Sequence, residues 1–140
     1  MSIIKDYMST SLATCNPSDN LATLAKHMKE EDVGFIPIVE NDKYVGVVTD
    51  RDIVVRGLAK GTADNIHASD IMTEKVITGS PDMDVEEAAR LMQEHQIKRL
   101  MVVEKDRFSG VVSLGDLGIE GADEVAADIV SELSKGKGNN

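Results

Sequence analysis

Two short stretches hold residue types that could bind a ligand. They read GVVTDRD (Gly46–Asp52) and GVVSLGD (Gly110–Asp116), a shared Gly-x-x-[Thr/Ser]-x-x-Asp pattern that follows an apolar run. Where such a run turns into a helix, the first backbone N–H groups lack partners and the helix dipole favours an anion such as phosphate. The Thr49 or Ser113 hydroxyl adds a donor there. A carboxylate at the third position, Asp52 or Asp116, can accept two hydrogen bonds from a vicinal diol such as the 2′ and 3′ hydroxyls of ribose. Each such bond to a charged acceptor is worth about 1.5–3 kcal/mol. Phosphate and diol beside an apolar slot describe a nucleoside phosphate. The same spacing is also close to a capping box, which only starts a helix.

The elements that must position these residues occur twice. Sliding the chain by 64 residues without a gap matches Asp6 to Asp70, Met8 to Met72, Thr14 to Thr78 and Pro17 to Pro81. It also matches Met28 to Met92, Val39 to Val103, Asp42 to Asp106, and Gly46–Val48 to Gly110–Val112. Such a long internal match is a repeat, and two copies are too few for a solenoid. A pair burying a shared face is expected.

Each copy reads in the same order. Leu12–Cys15 and Val76–Thr78 are short extended pieces that run toward Pro17 and Pro81. Asn20 caps a helix whose apolar face is Leu21, Leu24, Ala25 and Met28. Asp84, with Glu87 three residues on, caps the second helix by a capping box, and Val85, Ala88, Ala89 and Met92 repeat the stripe. Phe35–Val39 with Tyr44–Val48, and Leu100–Val103 with Phe108–Val112, read as hairpins. Their near-continuous apolar runs call for cover on both faces. A helix over Asp50–Ala59 follows the first hairpin and stops near Gly61. Its counterpart is weakened by Gly115, Gly118 and Gly121. Val125, Ile129 and Leu133 form a stripe that predicts an extra C-terminal helix, followed by a frayed tail.

Composition narrows the function classes. The net charge of −10 over 140 residues opposes affinity for nucleic acid polymers. A small anion then needs a local basic cluster; Lys98 with Arg99 is the first candidate and Arg51 the next. No apolar run is long enough to span a membrane and no signal peptide is visible. The single Cys15 excludes an internal disulfide and fits a reducing compartment, so a cytoplasmic location is expected. His27, His67 and His95 lack zinc-ligand spacing, and there is no P-loop and no nucleophile–base set. No metal site and no catalytic residue is expected.

The ordered set of Pro17 and Pro81, the two hairpins, GVVTDRDI (Gly46–Ile53) and GVVSLGDL (Gly110–Leu117) resembles a tandem pair of cystathionine β-synthase (CBS) repeats, a Bateman module. The resemblance covers roughly residues 4–119 and leaves no stretch for a catalytic domain. It implies an α+β fold of two βαββα repeats packed with pseudo-two-fold symmetry: repeat one in 1–60, a linker in 61–69, repeat two in 70–120, and the extra helix and tail in 121–140. It further implies two clefts for adenosine derivatives: AMP, ADP, ATP or S-adenosylmethionine. One cleft would use Thr49 and Asp52 with Val76, Ile77, Thr78 and Pro81. The other would use Ser113 and Asp116 with Leu12, Ala13, Thr14 and Pro17. Lys98 and Arg99 match the family's phosphate-contacting pair. Gly34 and Phe35 replace that pair in repeat one, where Arg51 is the substitute. Paired modules of this kind often form discs of four repeats, so a homodimer is expected, together with a regulated partner of unknown identity. The alternative is a dimerisation module with degenerate, ligand-free clefts.

Overall fold

The structure is a computed structural model and describes residues 2–74 and 77–118. Val76 and the expected C-terminal helix lie outside the described residues. The chain forms two compact units. Of the described residues, 11–74 with 105–108 make up one, and 2–10, 77–104 and 109–118 make up the other.

The first unit holds helix α1 (Leu21–Glu31), strands β1 (Phe35–Glu40) and β2 (Lys43–Thr49), a π-type helix over Asp52–Gly57, and helix α2 (Ala68–Ile71). Asn20 caps α1 as expected: its side-chain oxygen accepts the Thr23 N–H at 2.9 Å. Leu21, Leu24 and Met28 are buried, whereas Ala25 is exposed and drops out of the predicted face. The helix ends where Asp32 turns left-handed at φ 55°. β1 and β2 pair antiparallel from Phe35 opposite Thr49 to Glu40 opposite Lys43. The connection is the tight turn Asn41–Asp42, both at positive φ, the twist-matched geometry of two-residue hairpins. Phe35, Ile36 and Ile38 are buried along β1, so both faces of the strand are covered. The extended piece before α1 adds to this sheet through the parallel bridge of Cys15 with Ile38.

The second unit holds β3 (Thr78–Gly79), α3 (Val85–His95), β4 (Arg99–Glu104), β5 (Arg107–Ser113) from Ser109 onward, and α4 (Leu114–Leu117). Its sheet has the order β3-β4-β5, with β3 parallel to β4. Val85, Ala88, Ala89 and Met92 are all buried, in a cluster with Leu100, Val102, Val112 and Leu117. The turn Lys105–Asp106 repeats the left-handed pair of the first hairpin. Asp84 departs from expectation, because its side chain makes no cap hydrogen bond. The Val85 N–H donates instead to the Ser2 carbonyl at 3.0 Å, and Ile3 bridges Asp84. The free donor of the helix start is satisfied by a backbone segment more than 80 residues away in sequence.

The repeats in chain order and the compact units do not coincide. Ile4 is fully buried in the cluster of the second unit, and Ser9 pairs with Val111 there. The matching segment before repeat two, at Met72 and Thr73, serves the first unit, where Thr73 pairs with Val47. Each lead-in thus completes the sheet of the opposite repeat. The approach is close enough to demand glycine: a Cβ at Gly46 would lie 2.8 Å from the Thr73 carbonyl oxygen, and one at Gly110 2.5 Å from that of Ser9. In the first unit the Asp106 carbonyl accepts the Tyr44 N–H at 2.8 Å, and the Tyr44 and Phe108 rings stack at 6.2 Å.

Candidate ligand site

Both corners form the same local structure. In the first, the Thr49 hydroxyl accepts the Asp52 N–H at 3.1 Å and Asp52 Oδ2 accepts the Thr49 N–H at 2.9 Å. In the second, the Ser113 hydroxyl accepts the Asp116 N–H at 3.1 Å and Asp116 Oδ2 accepts the Ser113 N–H at 2.9 Å. These are reciprocal capping boxes: two donors of the helix start are satisfied by two side chains. The strand that feeds each corner is anchored in the same way. The Asp50 N–H donates to the Gly34 carbonyl at 2.8 Å, and the Leu114 N–H to the Lys98 carbonyl at 3.1 Å. Strand end, helix start and the opening of the preceding strand are thereby tied together.

The second carboxylate oxygens differ. Asp52 Oδ1 lies 3.7 Å from Arg56 Nη1, and the Asp52 side chain is 15% exposed. Asp116 is exposed, and its Oδ1 has no partner among the described residues. A capping carboxylate accepts with one oxygen and can present the other, so capping and diol binding are compatible at Asp116. At Asp52 the free oxygen is shared with a guanidinium.

The remaining predicted residues fall as follows. Lys98 and Arg99 are exposed at the opening of β4, and the Lys98 backbone is bonded to the corner through Leu114. Arg51 is exposed, and its N–H donates to Asp50 Oδ1 at 2.8 Å. In repeat one Gly34 stands where Lys98 stands in repeat two, and a Cβ there would meet the exposed Asp50 side chain, Oδ2 at 2.9 Å. Leu12 and Ala13 are half-buried and Thr14 is exposed. The Ala13 N–H donates to Glu31 Oε1 at 3.0 Å, which holds the stretch beside α1. Thr78 is exposed, whereas Ile77 and Pro81 are half-buried. The Pro81 carbonyl accepts the Lys5 N–H at 3.0 Å.

Sequence reasoning missed two hollows beside Thr14 and Pro17, of about 400 and 330 Å³, which share Asn16, Val39 and Asn41 in their walls. Glu40 borders one, Asp19 and Asp42 the other, and no cation lines either among the described residues, so neither suits phosphate. The turn signal at Asn41–Asp42 marks the hairpin tip in sequence, but not the walls it meets. Cys15 lies on this side with 5% exposure. Burial first, then the charge of Asp19, a hydrogen bond to Asp19 and the charge of Glu31 push its pKa up to about 12. The thiol stays protonated at neutral pH and is a packing group, not a nucleophile. The Tyr44 hydroxyl is buried without a hydrogen-bond partner among the described residues, and burial raises its pKa. Among the described residues there is no group of three His, Cys, Asp or Glu that could hold a metal. No helix of the described residues is long and apolar enough to cross a membrane.

Two βαββα-type repeats, each with the same corner, define a tandem-repeat module, and comparison with known proteins agrees. The CBS domain family matches residues 4–58 and 68–117, and the chain belongs to it as a tandem CBS pair. It is 38% identical over 135 residues to the CBS domain-containing protein YhcV of Bacillus subtilis, covering 96% of each chain. Among solved structures, Hypoxic Response Protein I, determined with two coordinated zinc ions, is 27% identical with a TM-score of 0.77, covering 85% of this chain and 98% of that one. The CBS domain pair of MJ0100, determined with 5′-methylthioadenosine and S-adenosyl-L-methionine, is 28% identical with a TM-score of 0.74, covering 89% and 98%. The chain is a CBS module.

Proposed function

We propose that this chain is a regulatory module that binds an adenosyl ligand (AMP, ADP, ATP or S-adenosylmethionine) and passes the binding event to a partner protein in the cytoplasm. Asp116 and Asp52 hold the ribose diol, with Ser113 and Thr49 beside them. Lys98 and Arg99 meet phosphate or carboxylate groups of the ligand, and Arg51 serves that role in repeat one. The stretches Leu12–Pro17 and Val76–Pro81 supply the surface for the base. The observation that carries this reading is Asp116 Oδ1, which has no partner among the described residues while Oδ2 and the Ser113 hydroxyl cap the helix start. The adenosyl ligands of the MJ0100 pair support the ligand class.

A thermal-shift screen with the four ligands tests the reading. A ligand that binds only the folded state at 100 times its Kd stabilises by about 2.7 kcal/mol, which is several degrees for a domain of this size. Silence with all four, in a protein that unfolds cooperatively, removes the proposal. A second reading has its own support, since both carboxylates already serve as caps. On that reading the clefts are degenerate and the module acts through dimerisation alone, with no shift from any ligand and a stable dimer.

A further inference from the structure

The two corners differ in charge at matched, touching positions. In each, the residue after the hydroxyl bonds back to the opening of the preceding strand: the Asp50 N–H to the Gly34 carbonyl at 2.8 Å, and the Leu114 N–H to the Lys98 carbonyl at 3.1 Å. Gly34 and Lys98 are 64 residues apart, as are Asp50 and Leu114, so the two pairs are equivalent. In repeat two the pair is a cation beside an apolar residue. In repeat one the cation is missing and a carboxylate has moved in, since a Cβ at Gly34 would lie 2.9 Å from Asp50 Oδ2. Asp50 thus fills the place from which the Lys98 side chain departs in repeat two. It is exposed; its Oδ1 accepts the Arg51 N–H at 2.8 Å, and its Oδ2 has no hydrogen-bond partner among the described residues.

The exchange of charge continues through the corner. The counterpart of Arg99 is the buried Phe35, that of Arg51 is Gly115, and that of Arg56 is Glu120, which lies outside the described residues. Of these charged positions only the Asp52 and Asp116 carboxylate is common to both repeats. A group carried on a ribose held there meets two cations, Lys98 and Arg99, in repeat two. In repeat one it meets a carboxylate and a cation side by side, Asp50 and Arg51. A phosphate suits the first and is repelled by the second, because like charges brought together discriminate strongly against a ligand. An α-amino acid group suits the second, with its ammonium on Asp50 and its carboxylate on Arg51. We propose that the two corners divide adenosyl ligands by charge: the Ser113/Asp116 corner takes a phosphorylated one, and the Thr49/Asp52 corner takes one that carries an amino-acid group, selected by Asp50. This division rests on the ribose-holding role proposed above for the two carboxylates.

Calorimetric titration of the full chain with AMP, S-adenosylmethionine and 5′-methylthioadenosine, a thioether without the amino-acid group, tests this. AMP and S-adenosylmethionine should bind together, neither displacing the other. Asp50→Asn should raise the Kd of S-adenosylmethionine about tenfold and leave AMP and 5′-methylthioadenosine within about twofold, because a charged acceptor becomes a neutral one. Lys98→Met should raise the Kd of AMP about tenfold and leave S-adenosylmethionine within about twofold. Gly34→Lys/Asp50→Leu gives repeat one the pair found in repeat two, and should open it to AMP as a second site while S-adenosylmethionine binding is lost. Competition of AMP and S-adenosylmethionine for one site overturns the proposal, and so does an Asp50→Asn variant, folded by circular dichroism, that weakens all three ligands alike or none of them. A chain that binds only one of AMP and S-adenosylmethionine also overturns it, with the adenosyl reading intact. A chain that binds none of the three ends that reading as well.

Discussion

Asp116→Asn separates the two roles of the corner carboxylate. The cap needs one acceptor oxygen for the Ser113 N–H, now at 2.9 Å, and the amide oxygen of asparagine can supply it. Folding stability should therefore fall by only a few tenths of a kcal/mol, against about 1 kcal/mol for Asp116→Ala, which deletes the acceptor. Ligand binding should respond in another proportion. A hydrogen bond to a charged acceptor is worth about 1.5–3 kcal/mol and a neutral one about 0.5–1.5. With the amide oxygen held by the Ser113 N–H, the ribose hydroxyls meet an NH2 that cannot accept, so at least one bond to a charged acceptor, about 1.5–3 kcal/mol, is lost, a roughly tenfold or greater rise in Kd. Urea melts give the first quantity, and calorimetric titration with S-adenosylmethionine and AMP the second. If Asp116→Asn binds as the wild type does, while Asp116→Ala weakens only as far as its stability drops, the carboxylate is a cap and nothing more. Asp52→Asn is a noisier version of the experiment. It also removes the contact with the half-exposed Arg56, a pair worth about 0–1 kcal/mol.

Two other predictions follow from packing and burial. Gly110→Ala places a methyl group 2.5 Å from the Ser9 carbonyl and must part the two hydrogen bonds that join Ser9 to Val111; a loss of about 2–4 kcal/mol in urea melts is expected. Gly115→Ala meets, among the described residues, only Ser113 Oγ at 3.6 Å and should instead gain up to about 1 kcal/mol from helix propensity, so equal effects of the two changes would contradict this geometry. Cys15 is held above its unfolded pKa, so the stability it contributes is complete below pH 9 and is lost as pH rises toward 12. The stability difference between the wild type and Cys15→Ala should be constant below pH 9 and shift against the wild type above it, and a thiol reagent should label Cys15 slowly until urea unfolds the chain.

The corners were legible because their chemistry is local. Thr49 and Asp52, like Ser113 and Asp116, are three residues apart, within reach of each other's backbone once the strand turns into a helix. The hairpins were legible for the same reason, since two apolar runs separated by four polar residues need no distant partner, although the structure tightens the turn to Asn41–Asp42. Asp84 does stand at the N-cap, but its side chain makes no cap bond, and the Ser2 carbonyl that takes the Val85 N–H arrives from the far end of the sequence. The stack of Tyr44 on Phe108, matched positions in the repeat, is likewise a tertiary event that joins the second hairpin tip to the first unit.

Taken alone, the 140 residues determined that the chain is a doubled βαββα unit with two equivalent polar corners, because period, caps and turns are short-range properties of the backbone. Only the tertiary structure decided which backbone segment completes each sheet, with Ser9 going to Val111 and Thr73 to Val47. It also decided that Gly34 lies against the Asp50 side chain, that Asp116 Oδ1 has no partner among the described residues while Asp52 faces Arg56, and that no described residue covers Val54, Val55 and Leu58. Each of these depends on what arrives from elsewhere in the chain to occupy a donor, an acceptor or a surface, and no local spacing encodes that arrival.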